Sequence, residues 1–334
     1  MRKIALLFVV LALILPAAEA AAYWYKYSGN PVLTTTSGKF DSNNVLQPRV
    51  IYEAGTWKMW YTGCNGTEQA IGYATSADTR SWTKQNSGNA VFTKGTSGKF
   101  DSSSVGWAWV LKDNSTYMMW YTGISDTGSQ HIGYASSTDG IAWTRGNGGN
   151  PVINDEGSKC PSVIKVGVTY KMYYYLEDSP WNYYMAESSD GISWGEAQNV
   201  MSVSSPSKFD GDHLAACGVY YNALNSAPNG PYQMWYTGST GPDVQRGGYA
   251  YSDDGLSWTK QYGTGTVESA LDIGPATWDN TLVAPRCGIN EDPGTGTPYY
   301  IYYDGYNSST GWQIGIAYSS DGTCVDEWRE YGER

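Results

Sequence analysis

Met119-Trp120-Tyr121-Thr122-Gly123, then Ile132-Gly133-Tyr134-Ala135, then Ser137-Thr138-Asp139-Gly140-Ile141-Ala142-Trp143: the order of these three blocks decides the fold, because the chain repeats it. An earlier copy reads Met59-Trp60-Tyr61-Thr62-Gly63, Ile71-Gly72-Tyr73-Ala74 and Asp78 to Trp82. A later one reads Met234-Trp235-Tyr236-Thr237-Gly238, Gly248-Tyr249-Ala250 and Asp253-Asp254-Gly255-Leu256-Ser257-Trp258. Two worn copies complete the set: Met172-Tyr173-Tyr174 with Asp190-Gly191-Ile192-Ser193-Trp194, and Ile301-Tyr302-Tyr303-Asp304-Gly305 with Ile314 to Gly322. The turn aspartates are Asp78, Asp139, Asp190, Asp254 and Asp321. Units of roughly this length, repeated along a chain, mark a repeat architecture.

Within a copy, apolar and aromatic residues alternate over short runs separated by Gly, Asn, Ser and Asp, which is strand-and-turn patterning, and no segment sustains a helical period. The second copy predicts strands over Gly106–Lys112, Tyr117–Thr122, His131–Ser136 and Ile141–Arg145. Asp113-Asn114-Ser115 and Thr138-Asp139-Gly140 supply the turns, whose left-handed backbone suits Asn, Asp and Gly. Four-stranded antiparallel meanders arranged around an axis predict an all-β, five-bladed β-propeller. Trp24 to Tyr27 and Gly29-Asn30-Pro31-Val32 resemble the end of a copy, so an N-terminal strand could close the ring against the last blade. A second candidate for that place runs from about Glu327 to Tyr331.

Residues 1–20 read as a signal peptide: Arg2 and Lys3 precede an apolar run from Ile4 to Pro16, and Ala18-Glu19-Ala20 offers a cleavage site before Ala21. The expected product is a secreted or cell-surface propeller domain over 21–334, with no membrane span in the mature chain. The net charge is −11, and loss of Arg2, Lys3 and Glu19 makes it one unit more negative, which argues against nucleic acid as a partner. Charged residues make up only 16% of the chain, below the usual quarter, while Tyr and Trp number 29 and 15, a composition suited to tightly turned sheets. Cys64, Cys160, Cys217, Cys287 and Cys324 are an odd number, so at least one thiol stays unpaired and no pairing is assigned. Asn65-Gly66-Thr67, Asn114-Ser115-Thr116 and Asn307-Ser308-Ser309 are glycosylation-type triplets at expected hairpin tips.

A meander places the hairpins on one face and the crossovers between blades on the other. The turn aspartates then lie on the hairpin face as backbone caps. The motif tryptophans and tyrosines are expected to pack blade against blade, each burying about 150 to 250 Å². Each crossover carries an acid: Asp41, Asp101, Asp155 or Glu156, Asp210 and Asp279, with Thr36 to Ser42 and Thr96 to Ser102 identical. Such acids either cap the crossover backbone or form a ring of acid, base or cation ligands. Several residues on that face break the repeat. Arg49 and Arg286 follow Pro48 and Pro285 in equivalent positions of the first and last copies and could clamp a carboxylate or bind hydroxyls, or pair with Asp41 and Asp279. Trp107 and Trp109 stand where other copies have smaller residues, and Asp212-His213 adds an acid and one of two histidines. Lys159, Glu177 and Asp178 fall on the same face in the third copy. There is no metal motif of diagnostic spacing, no phosphate loop and no nucleophile elbow.

The stretch from Asp101 to Val152 resembles the five-bladed propeller glycosidases of the arabinanase, β-xylosidase and invertase superfamily, glycoside hydrolase families 43 and 32, and the likeness extends along the mature chain. The resemblance implies an acid at the head of each of the first three blades. At those positions this sequence has Gln47-Pro48, Trp107 or Ala108, and Lys159-Cys160-Pro161. If the protein hydrolyses glycosidic bonds, the crossover acids must substitute, with Asp41 as base, Glu156 as acid and Asp101 as tuner. Arg49, Arg286, Trp107, Trp109, Asp210, Asp212, His213 and Asp279 would then contact the carbohydrate. No cofactor is required. The resemblance allows a structural calcium near the axis, with His213 as a metal ligand. The rival reading is a propeller that binds a glycan or surface partner without cleaving it. A third is a sialidase-like protein, since Ser-x-Asp-Gly-x-x-Trp is similar to the Asp box.

Overall fold

The computed structural model describes residues 25–223, 230–241, 244–262, 269–274, 278–289 and 299–319. Five four-stranded antiparallel sheets form the blades. The first contains Asn44–Glu53, Thr56–Cys64, Gln69–Ser76 and Thr83–Lys84. The second contains Ser104–Asp113, Thr116–Ile124, Gln130–Ser137 and Thr144–Arg145. The third contains Ser158–Val166, Thr169–Leu176, Asn182–Ser188 and Gln198–Met201. The fourth contains His213–Tyr221, Tyr232–Ser239, Gln245–Ser252 and Thr259–Gln261. The fifth takes Leu282–Ile289, Tyr299–Asn307 and Gly311–Ser319 from the end of the described chain and Tyr25–Lys26 from its start. Tyr25 pairs with Tyr318 and Lys26 with Ala317, so the N-terminal strand closes the ring. The rival strand near Glu327 lies outside the described residues, as do the leader, Trp24, Asp321 and Cys324.

The expected second-copy strands are present and slightly longer, except the fourth, which keeps only Thr144–Arg145. The backbone N–H groups of Ile141 and Ala142 are taken by the Asp139 carboxylate at 2.8 Å each, which holds them in the turn. Asp78, Asp190 and Asp254 make the same arrangement in their copies.

Each letter of the Met-Trp-Tyr-Thr-Gly block has a separate task. The methionines Met59, Met119, Met172 and Met234 have no exposed surface and fill the spaces between blades. The second residue latches onto the following blade. Trp60 donates its indole N–H to the Gly140 carbonyl, and Trp120 to Gly191. The Tyr173 hydroxyl donates to Gly255, and the Tyr302 hydroxyl to Thr79 across the closure. The third residue, tyrosine in every copy, donates to the crossover acid of its own blade: Tyr61 to Asp41, Tyr121 to Asp101, Tyr174 to Asp155, Tyr236 to Asp210 and Tyr303 to Asp279. The glycine makes room for that crossover. A Cβ on Gly63 would stand 2.3 Å from the Phe40 ring, and one on Gly123 would stand 2.5 Å from the Phe100 ring. In the third copy the crossover has no Phe, and Leu176 occupies the glycine position.

The threonine sets the axis. Every first strand carries a bulge: the pairing skips between Leu46 and Arg49, Gly106 and Trp109, Lys159 and Ser162, Ala215 and Cys217, and Pro285 and Cys287. The bulges of Gln47, Trp107 and Cys160 have positive φ, 56°, 52° and 53°. Such a backbone is strained for non-glycine residues and is held by its surroundings. Here the Thr62 hydroxyl accepts from the Trp107 N–H at 2.8 Å, and the Thr122 hydroxyl from Cys160 at 3.1 Å. In the fifth copy Asp304 replaces the threonine and accepts from the Gln47 N–H at 2.7 Å. Thr237 Oγ1 finds no partner among the described residues, and the next bulge begins with Pro285, which has no N–H.

Candidate functional site

The bulges turn side chains into a funnel on the crossover face of the axis, as bulges commonly do beside binding sites. The funnel encloses about 320 Å³ and draws residues from all five blades. Its floor is made by the bulge residues Gln47, Trp107, Cys160, Ala216 and Arg286. Its wall comes from one repeat position, the residue at the head of the third strand: Gln69, Trp181, Gln245 and Trp312. Tyr175, the third copy's replacement for threonine, joins them.

Arg286 is the charged centre. Its Nε donates to Asp304 Oδ2 at 2.6 Å, and the other Asp304 oxygen takes the Gln47 amide. The Asp304 side chain is fully buried, and Arg286 retains 11% exposure. Burial pushes the Asp304 carboxyl upward, opposed by the Arg286 guanidinium and the Gln47 N–H. The terminal nitrogens of Arg286 have no protein partner among the described residues, and the side chain lines the funnel. Gln47 Oε1 and Gln69 Oε1 are buried acceptors without a donor among the described residues. Orphan acceptors in a cavity wall call for hydroxyls, whether of water or of a ligand. The Cys160 thiol, also on the floor, is pushed up to about 12 by burial, which disfavours its thiolate.

The sequence-derived candidates separate sharply. Trp107 and Arg286 line the funnel. Trp109 is buried rather than open to the funnel: it is 4% exposed, its indole donates to the Val163 carbonyl, and the Arg49 guanidinium lies 4.1 Å over its ring. Arg49 and Arg286 are not equivalent, contrary to the expectation from their prolines. Pro285 and Arg286 form the bulge, whereas Pro48 closes one and Arg49 follows it, a step deeper on the axis. Arg49 binds the Val110 carbonyl and Cys287 there, and neither arginine pairs with Asp41 or Asp279.

The crossover acids are staples. Asp41, Asp101, Asp210 and Asp279 have no exposed surface. Besides its tyrosine each holds a cation: Asp41 with Lys84 at 2.5 Å, Asp101 with Arg145 at 2.7 Å, Asp210 with Lys260 at 2.7 Å and Asp279 with Lys26 at 2.6 Å. None lines the funnel. Glu156 is 67% exposed, with His131 Nε2 3.5 Å away. Asp41, Asp101 and Glu156 thus occupy three separate settings rather than one catalytic cluster. Asp212 is 59% exposed and bonded to His213 at 3.0 Å, and the His213 ring packs on Trp181. Among the described residues no group of three or more His, Cys, Asp or Glu could hold a metal ion. Cys64, Cys160, Cys217 and Cys287 are free thiols. No described helix is long and apolar enough to cross a membrane.

Asp304 and the wall residues escaped the sequence reading although a signal existed. Asp304 stands where three other copies have threonine, and Gln69, Gln130 and Gln245 recur two residues before the Ile-Gly or Gly-Gly pair.

No family model matches the chain. Two uncharacterized proteins from strains of Mycobacterium tuberculosis are each 27% identical over 243 residues, spanning 68% of this chain and 75% of theirs. Among solved structures, a glycosyl hydrolase from Bacteroides ovatus superposes with a TM-score of 0.71 at 17% identity, over 92% of this chain and 96% of that one. A structure reported for the GH130 family of mannoside phosphorylases, which contains glycoside hydrolases targeting β-1,2 mannosidic linkages in Candida mannan, gives 0.70 at 16%, over 94% and 98%. A β-1,2-mannobiose phosphorylase from Listeria innocua gives 0.67 at 12%, over 89% and 97%. At these identities the likeness is one of fold alone: the chain shares the overall architecture of these structures. It does not single out families 43 or 32.

Proposed function

We propose that this propeller binds carbohydrate in its axial funnel and does not cleave it by the two-carboxylate route. The observation that carries the reading is the funnel's lining. Trp107, Trp181 and Trp312 offer apolar faces, Gln47 and Gln69 offer unpartnered buried acceptors, and Arg286 offers donors. A pyranose presents apolar C–H faces and a belt of hydroxyls, which this mixture suits. Hydrolysis needs two carboxyl groups about 5 to 9.5 Å apart across the scissile bond. No carboxylate is among the described residues that line the funnel, and Asp304, which holds Arg286 of the floor, is fully buried and engaged by Arg286 and Gln47. The fold types of the structural neighbours support a sugar ligand without fixing the chemistry. The basic and apolar leader-like start places this activity outside the cytoplasm in the same proposal.

The test is glycan binding by calorimetry across plant, fungal and microbial oligosaccharides, with reducing-sugar release followed in the same samples, with and without phosphate. The reading expects binding that is lost in Trp107→Ala and no release. Release that depends on a funnel carboxylate would replace it with an enzyme, and binding indifferent to Trp107 would move the site elsewhere.

A further inference from the structure

The charge balance of the axis points beyond a neutral sugar. We infer that the funnel's ligand carries an anionic group, a carboxylate or a phosphate, seated on the outward edge of Arg286. This rests on the sugar-binding reading and narrows its substrate class to acidic or phosphorylated saccharides.

Arg286 spends only its Nε edge on Asp304. Its two terminal nitrogens form a fork whose orientation the ion pair fixes, and a planar carboxylate or two phosphate oxygens match such a fork. A purely structural pair, bridging the fifth blade to the Gln47 amide, would not need the rest of the guanidinium to line the funnel.

Arg286 and Asp304 cancel in charge, but Arg49 below them has no carboxylate partner among the described residues. Its Nε donates to the Val110 carbonyl at 2.9 Å, an Nη donates to Cys287 Sγ at 3.5 Å, and its plane covers Trp109. Trp109 lines the same narrow end of the funnel as Arg286. No carboxylate is among the described residues that line the funnel; elsewhere Glu177 pairs with Lys159 and Asp272 with Arg246, and Asp212 is exposed beside His213. Among the described residues the floor of the funnel and the layer beneath it therefore carry one positive charge without a carboxylate partner, Arg49, inside a chain of net charge −11. A concave, low-dielectric wall focuses that field toward the mouth. A partly buried cation without a counter-ion has its lost hydration replaced only in part by a carbonyl, a thiol and an aromatic face, and an incoming anion would lower its energy further. A neutral glycan would gain nothing from Arg49.

The test measures dissociation constants for oligosaccharides of galacturonate, glucuronate and mannuronate, each beside its carboxyl-reduced neutral form, and for singly phosphorylated hexoses beside the unphosphorylated sugars. The wild-type protein should bind at least one acidic form roughly ten- to a hundredfold tighter than its matched neutral form, the span expected of hydrogen bonds to a charged group. That preference should shrink as salt is raised. The double variant Arg286→Gln Asp304→Asn, which leaves no buried charge unpaired, should bind both forms alike, and Arg49→Gln should reduce the preference while keeping neutral binding. If neutral forms bind as tightly as or tighter than acidic ones in the wild type, this inference falls and the sugar-binding reading stands. If nothing in either series binds, both fall. Preference for uronates over phosphates, or the reverse, assigns the source of the anion.

Discussion

At the residue scale, the account assigns Asp101 to architecture. Its carboxylate is buried against Tyr121 and Arg145. Arg145→Met should cost about 3 to 5 kcal/mol, the usual loss when a buried pair is broken on one side, read from denaturant unfolding. An unchanged midpoint would return Asp101 to the pool of functional candidates. Thr62 carries a different load. Thr62→Val removes the acceptor of the Trp107 N–H and should cost about 1 to 3 kcal/mol, the penalty of an orphaned buried donor. It should also weaken glycan binding, because Trp107 keeps its left-handed backbone only while that hydrogen bond holds it. Side-chain roles of this kind were half legible in the sequence. The repeat marked the crossover acids as present in every copy, which is why a structural reading of them was available, but the sequence could not show that their partners would be Lys84, Arg145, Lys260 and Lys26. Those cations come from fourth strands of the same blades, or in Lys26 from the far end of the chain. Asp304 was hidden for another reason: an aspartate beside a glycine reads as a turn until the register shows it replacing the threonine of a buried strand.

At the scale of one element, the bulge and the crossover explain the glycines. Gly123→Ala should destabilise by about 1 to 3 kcal/mol through overpacking against Phe100 and Asp101. The third blade shows the compensating solution, a larger residue where the crossover ring is absent. Combining Gly123→Ala with Phe100→Ala should therefore cost less than the sum of the single changes, and strict additivity in a double-mutant cycle would contradict the packing argument. The Asp-Gly turns give a pH dependence. Backbone N–H groups of Ser193 and Ile192 hold Asp190 at about 2, and those of Ser257 and Leu256 hold Asp254 at about 2. An unfolded aspartate titrates near 3.9, so the folded turns bind fewer protons between these values. Their contribution is complete above about 4 and is lost as the pH falls toward 2. Melting temperatures followed from pH 5 to 2 should drop, and the drop should be shallower in Asp254→Asn. The turns themselves were plain in the sequence, because Asp-Gly chemistry is local. The bulges were not, since a skipped pairing depends on the neighbouring strand.

At the scale of the whole molecule, five-fold repetition made the propeller legible and left its closure open. Two segments competed for the last strand, and Tyr25–Lys26 takes the place by pairing with Tyr318 and Ala317 while Lys26 reaches the buried Asp279. Lys26→Met should loosen that blade first, seen as faster amide exchange in Tyr299–Asn307 and Gly311–Ser319 than in the second blade. The funnel was the least legible part, because it is assembled from one or two residues of every copy and exists only once the ring is shut. The central claim is that this assembled funnel holds a glycan intact. The most direct measurement is mass spectrometry of a bound oligosaccharide recovered after prolonged incubation with the wild-type protein, alongside its affinity for wild type and Trp107→Ala. The account predicts an unaltered glycan, bound by the wild type and released by the variant. Cleaved or phosphorylated products, or binding untouched by the loss of Trp107, would contradict it.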